Sequence, residues 1–186
     1  MRIDIFNTDK KYNIIYADPP WEYRGGGAKR NATRHYPTMK PKEIYALPVE
    51  SLASSNCILF LWACILFLWA TFPNLHIALE TIKQWGFTYK TIGFVWVKRN
   101  KRSKGWFWGG GNYTRANAEI CLIATKGKPK RKSASVHSIC DAPREEHSKK
   151  PSEIRDRIIQ LCGDIPRIEL FARQYADGWD CWGNEV

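Results

Sequence analysis

The chain has 186 residues, a formal net charge of +11 and 44% hydrophobic residues. That length suits one compact domain spanning residues 1–186, and the composition excludes a disordered or fibrous chain. The charge favours a polyanionic partner, because each phosphate that a lysine or arginine neutralises releases counterions.

Met1 to Tyr12 is polar and mixed in charge, unlike a secretory signal. Tyr12–Ala17 (YNIIYA) is a short apolar run of strand type that ends at Asp18. Met39–Ala53 reads as partly helical, with Pro41 near its start and Pro48 interrupting it. Cys57–Phe72 carries no charge, but it is shorter than the ~18–20 residues that span a bilayer and Pro73 closes it, so no membrane segment is expected. It reads as a buried strand over Cys57–Ala70 in which CILFLWA occurs twice, at 57–63 and 64–70. Because the repeat length is odd, an unbroken strand would turn the second copy's side chains to the opposite face. A long strand, a bulge or a looped turn must absorb it.

Asn74–Trp85 has a helical stripe (Leu75, Ile77, Ala78, Leu79, Ile82, Trp85) closed by Gly86. Thr91–Val97 and Glu119–Thr125 read as strands, each followed by a basic run, Lys98–Lys104 and Lys126–Lys132. Pro151–Cys162 reads as a helix ended by Gly163, Arg167–Phe171 as a buried strand, and Gly178–Trp182 as another. The segments 23–34, 98–115 and 126–143 read as loops rich in Gly, Lys, Arg and Ser.

Strands alternating with helices predict an α/β fold, a mainly parallel sheet with helices on both faces. Ligands in such folds sit at the carboxyl ends of strands. Asp18 and both basic runs follow strands, so they are expected to share one rim. Six cysteines, at 57, 64, 121, 140, 162 and 181, include no CxxC pair. No metal site is therefore expected, and reduced, buried thiols point to a cytoplasmic setting.

The segment Asp18-Pro19-Pro20-Trp21 carries the chemistry. An exocyclic ring amine is a poor nucleophile because its lone pair is delocalised, and accepting hydrogen bonds from both N–H groups favours the pyramidal, reactive form. Asp18 can be one acceptor and a backbone carbonyl near Pro19 the other. The two prolines fix φ, remove competing donors and hold the corner stiff. Trp21 or Tyr23 would stack on a flipped or single-stranded base.

YNIIYADPPWEY, LFLWA, WGFTYKTIGFVWVK, EICLIATKG, HSKKPSE and RIELFAR followed by GWDCWGNE together resemble the MT-A70 family of adenine-N6 methyltransferases. The resemblance covers nearly the whole chain, in the family's order. It implies a Rossmann-like class I methyltransferase fold with permuted motif order, the catalytic block before the cofactor block. It implies S-adenosylmethionine as methyl donor and adenine N6 as acceptor. DNA is the expected substrate, as in the compact bacterial and phage members; RNA is the alternative. A catalytically silent partner subunit is a further alternative, against which the intact Asp18 segment and Lys150 speak. Either a homodimer or a heterodimer with a related subunit fits the resemblance.

The same resemblance assigns catalysis to Asp18, Pro19, Pro20 and Trp21 and cofactor contacts to Asp18, Lys150, Glu169, Arg173 and Asn184, with Asp4 and Ile5 as an upstream pair. Lys150 would bind the cofactor carboxylate and Glu169 the ribose. Ala172 stands where the family often has Gly, Glu185 where it has Gln, and Tyr175 where His is common. Three loops are expected to touch nucleic acid: Tyr23, Arg24, Lys29, Arg30 and Arg34 after the catalytic corner; Lys98, Lys101, Arg102, Trp106 and Trp108; and Lys128, Lys130 and Arg131.

Overall fold

Strand β1 (Tyr12–Ala17) is apolar on both faces because it lies at the centre of a sheet, flanked on each side by a parallel neighbour. The computed structural model describes residues 1–22, 37–63, 74–109, 114–144 and 149–186. In chain order β1 is followed by α1 (Pro41–Tyr45), α2 (Val49–Leu52), β2 (Ala53–Ala63), α3 (Leu75–Gln84), β3 (Thr88–Arg99), β4 (Ala118–Lys126), β5 (Ile139–Pro143), α4 (Glu153–Cys162), β6 (Arg167–Leu170) and β7 (Asp180–Trp182).

The strands form one sheet in the order β5-β3-β4-β2-β1-β6-β7. β2, β1, β6 and β7 pair in parallel, as do β3 and β5, while β4 is antiparallel to both β2 and β3. Among the described strands, then, β4 alone is reversed. Asp18 and the end of β3 lie at the carboxyl rim. The start of β4 joins them there, and its end, with the second basic run, lies at the opposite rim. The expected single rim for both basic runs is therefore wrong. A hydrophobic pattern reports which residues are buried in a strand, not which way the strand runs.

Alternating side chains of the first CILFLWA copy serve two cores. Cys57, Leu59, Leu61 and Ala63 join Ile15, Ala17 and the α1–α3 residues Ile44, Leu52, Ala78 and Ile82 on one face. Ile58, Phe60 and Trp62 join Ile14, Tyr16 and the α4 residues Ile154, Ile158 and Cys162 on the other. Helices thus cover both faces, as the sequence predicts. The strand begins four residues before Cys57, and the second copy, Cys64–Ala70, lies outside the described residues.

In α3 the buried positions are Ala78, Thr81 and Ile82, with Trp85 closing the face; Leu79, counted in the predicted stripe, turns outward and is 37% exposed. β3 is longer at both ends than Thr91–Val97, so Lys98 and Arg99 belong to the strand. β5 lies in the segment 126–143 that the sequence predicts as loop, because it is short and Asp141 and Pro143 interrupt its apolar pattern. It is recognisable only by its parallel pairing to β3.

Candidate active site

The corner after β1 is built by backbone bonds. Trp21 N–H donates to the Pro19 carbonyl at 2.9 Å, Met39 N–H to the Pro20 carbonyl at 2.9 Å, and Glu22 N–H to the Met39 carbonyl at 3.0 Å. The Trp21 indole N–H donates to the Trp62 carbonyl at 3.2 Å. Trp21 is only 6% exposed and belongs to the core. It therefore braces the corner and is unavailable as a stacking surface for a base; Tyr23, the other candidate, lies outside the described residues.

Asp18 itself stays at the edge of the core, with a side chain 20% exposed. Its Oδ2 accepts from Lys150 Nζ at 2.7 Å. Lys150 Nζ also lies 3.4 Å from Glu119 Oε2, and Glu119 Oε1 lies 2.5 Å from Lys98 Nζ. Two carboxylates and two ammoniums thus alternate along the carboxyl rim, each with an opposite charge beside it. Buried charges are tolerated only when paired in this way. Lys150 lies over the Trp62 ring at 5.3 Å and Lys98 over the Trp96 ring at 5.2 Å, which adds attraction to both cations. Burial pushes the Asp18 carboxyl above its ordinary value, opposed chiefly by the Lys150 ammonium.

Next to this chain, at the end of β6, Glu169 accepts two bonds from the Arg155 guanidinium, at 2.6 and 2.8 Å. Burial pushes Glu169 upward too, against Arg155. The Tyr16 hydroxyl accepts from the Trp62 indole N–H at 2.7 Å. A cavity opens here, lined by Tyr16, Asp18, Lys150, Arg155, Glu169 and Arg173 among others. At its mouth Arg173 pairs with Glu185 at 3.0 Å.

The structure therefore gathers Asp18, Lys150, Glu169 and Arg173 around one cavity. Asn184 is exposed and Asp4 is exposed, with its Oδ1 accepting from Phe6 N–H at 3.0 Å; Ile5 is buried in the core. These three do not line the cavity. Sequence reasoning missed Glu119, Arg155 and Tyr16. The available signal was an acidic residue at the head of the apolar run ICLIA, since such a charge needs a buried partner.

Of the first basic run, Lys98 is 8% exposed and ion-paired to Glu119. It is part of the buried charge chain, not of an exposed basic surface. Lys101 and Arg102 are exposed. Trp106 is 41% and Trp108 51% exposed, with the Arg99 guanidinium stacked 3.7 Å over the Trp106 ring and Arg115 donating to the Trp108 and Gly109 carbonyls. Lys128, Lys130 and Arg131 are exposed, but on the far rim. Arg24, Lys29, Arg30 and Arg34 lie outside the described residues. Among the described residues no group of acidic, histidine and cysteine side chains could hold a metal, and no helix is long and apolar enough to cross a membrane.

A strand leading into Asp18, parallel and adjacent to a later strand that carries Glu169, both opening on one cavity in a seven-stranded sheet with helices on both faces, defines a Rossmann-like methyltransferase fold. A family model described as MT-A70 matches residues 12–185. The chain belongs to the MT-A70 family of S-adenosylmethionine-dependent adenine-N6 methyltransferases. It is 36% identical over 197 residues to the type II methyltransferase M.MunI of a Mycoplasma species, covering 95% of this chain and 78% of that protein. It is 28% identical to a putative N(6)-adenosine-methyltransferase of Medicago truncatula and 27% identical to the N(6)-adenine-specific methyltransferase METTL4 of Homo sapiens. Those matches cover 100% and 98% of this chain but only 28% and 39% of the relatives.

Proposed function

We propose that this chain is a site-specific DNA methyltransferase that modifies the N6 amine of adenine. The observation that carries the reading is the Asp18 carboxylate, held by Lys150 at 2.7 Å at the end of the central strand and facing a cavity.

The donor set of that cavity fits S-adenosylmethionine. Lys150 and Arg173 are cations suited to its carboxylate, and Glu169 offers a carboxylate suited to ribose hydroxyls. When bound, the group supplies an electrophilic methyl on a sulfonium. The chain's own part is alignment and hydrogen-bond acceptance. Asp18 accepts one amino N–H of the target base. The Pro19 carbonyl, which keeps a second lone pair beyond its bond from Trp21, accepts the other. The corner is preset by its bonds to Met39 and Trp62, so it need not reorganise as the nitrogen becomes pyramidal. Burial makes Asp18 a stronger base than an exposed carboxylate, which suits it to receive the proton that the methylated amine sheds. Trp106 and Trp108, beside Arg99, Lys101 and Arg102 on the same rim, suit stacking and phosphate contact with the substrate strand.

The choice of DNA is supported by the type II methyltransferase relative, of which this chain spans 78%. Matched DNA and RNA oligonucleotides, a labelled methyl donor and product identification by mass test the proposal. We expect N6-methyladenine in DNA and no transfer by Asp18→Ala. Equal activity in that variant refutes the assignment of Asp18, and product in RNA alone refutes the assignment of DNA.

A further inference from the structure

The reversal of β4 separates the two basic runs and gives the second a role of its own. Lys126 is level with Cys57 on β2, whereas Ala17, which precedes Asp18, is level with Leu61. At the rise of a strand that difference is roughly 13 Å, and the loop after Lys126 starts from the rim opposite Asp18. From Lys126 to Cys140 the sequence contains no acidic residue. Lys128, Lys130, Arg131 and Lys132 are all exposed, and among the described residues none of the four is paired with an acid.

This loop is anchored at both ends. Gly127 has φ +67°, and a Cβ there would lie 2.2 Å from the Ser55 carbonyl, so only glycine lets the chain pass. Lys128 N–H donates to Asn56 Oδ1 at 2.8 Å. Lys132 N–H donates to the Leu161 carbonyl at 2.7 Å, which ties the loop to the last turn of α4. Pro129 stiffens the middle. Four like charges are thus carried within five residues on a backbone fixed at both ends. That arrangement lowers the ordering cost of binding a polyanion. Solubility alone would not require the backbone that carries them to be anchored in this way.

We propose that Lys128, Lys130, Arg131 and Lys132 form a second, sequence-independent phosphate-binding face that holds nucleic-acid backbone outside the target site. The inference rests on the proposed action on DNA. A segment seated at Asp18 occupies the carboxyl rim, so this face takes flanking backbone that bends round or extends past the domain.

The test uses the whole chain and a variant carrying Lys128→Ala, Lys130→Ala, Arg131→Ala and Lys132→Ala. Binding is measured against NaCl on a duplex of about 40 base pairs and on one of about 12. We expect the slope of log affinity against log salt on the long duplex to flatten by about 3–4, since each lost phosphate contact removes about 0.9. Binding of the short duplex and its methylation rate at saturation should stay unchanged. A variant with Lys128→Arg, Lys130→Arg and Lys132→Arg should keep the wild-type slope, which separates loss of charge from loss of fold. An unchanged slope on the long duplex overturns the proposal, as does an equal loss on both duplexes, which would put these residues at the target site. If the wild-type chain methylates DNA and the slopes agree, this inference alone fails; if it methylates no DNA, the proposed function fails while the slopes still report on this face.

Discussion

Replacing Lys150 by methionine removes the ammonium that joins Asp18 to Glu119 and keeps the length of the side chain. At 2.7 Å and an effective dielectric of about 20, the gross attraction to Asp18 is roughly 6 kcal/mol. Much of it offsets the removal of these charges from water. Deleting one partner leaves that desolvation uncompensated and costs about 3–5 kcal/mol. The lower end is expected because the Asp18 side chain is 20% exposed and can recover some hydration. Such a loss is a large part of the stability of an ordinary domain, so Lys150→Arg, which retains the charge, serves as the companion variant.

The assay is denaturant unfolding of wild type and both variants at several pH values. Lys150 holds the Asp18 carboxyl down against burial, so its loss raises that group further. The stability gap between wild type and Lys150→Met should then narrow as pH falls, because a protonated Asp18 no longer needs the ammonium. A gap below about 1 kcal/mol at neutral pH, or one that does not change with pH, would refute the reasoning. Lys150 would then serve only to bind ligand.

The pH profile of the wild type is a second expectation. Asp18 must be ionised to accept an amino hydrogen, and burial raises its pKa. The acid limb of kcat/KM should therefore fall above the ordinary carboxylate range, and a limb at the ordinary value would contradict the burial argument. In the window between the ordinary value and the raised one, the folded chain holds the proton more tightly than the unfolded chain. The contribution of this group to stability therefore declines as pH rises through that window, as unfolding curves can check. At the other end of the site, a Cβ on Gly183 would lie 2.2 Å from the Ala172 carbonyl. Gly183→Ala should thus push the ends of β6 and β7 apart, lowering the melting temperature and raising KM for the methyl donor through the displacement of Arg173; a wild-type melting temperature would show that the chain ends yield freely.

Local pattern carries far in this protein. The alternation in YNIIYA and CILFLWA, the stripe from Ala78 to Trp85 and the glycines at 86 and 163 specify strands, helices and their ends, because burial on a pleat or a helical face follows the period of the side chains. The Asp18-Pro19-Pro20-Trp21 corner is legible because the chemistry proposed for it lies in four adjacent residues. Lys98 shows where that reasoning stops. Among neighbours in sequence it is one cation of a basic run, but in the fold it is 8% exposed against Glu119.

The sequence by itself determined the class of fold, the covered faces of the sheet and the corner proposed to be catalytic, since each depends on residues close together along the chain. Tertiary structure alone decided three matters: that Trp21 braces the core, that Glu119 and Arg155 complete the charge pairs, and that the two basic runs occupy opposite rims. Each depends on strand direction and on contacts between distant segments, and the same local pattern is compatible with either direction.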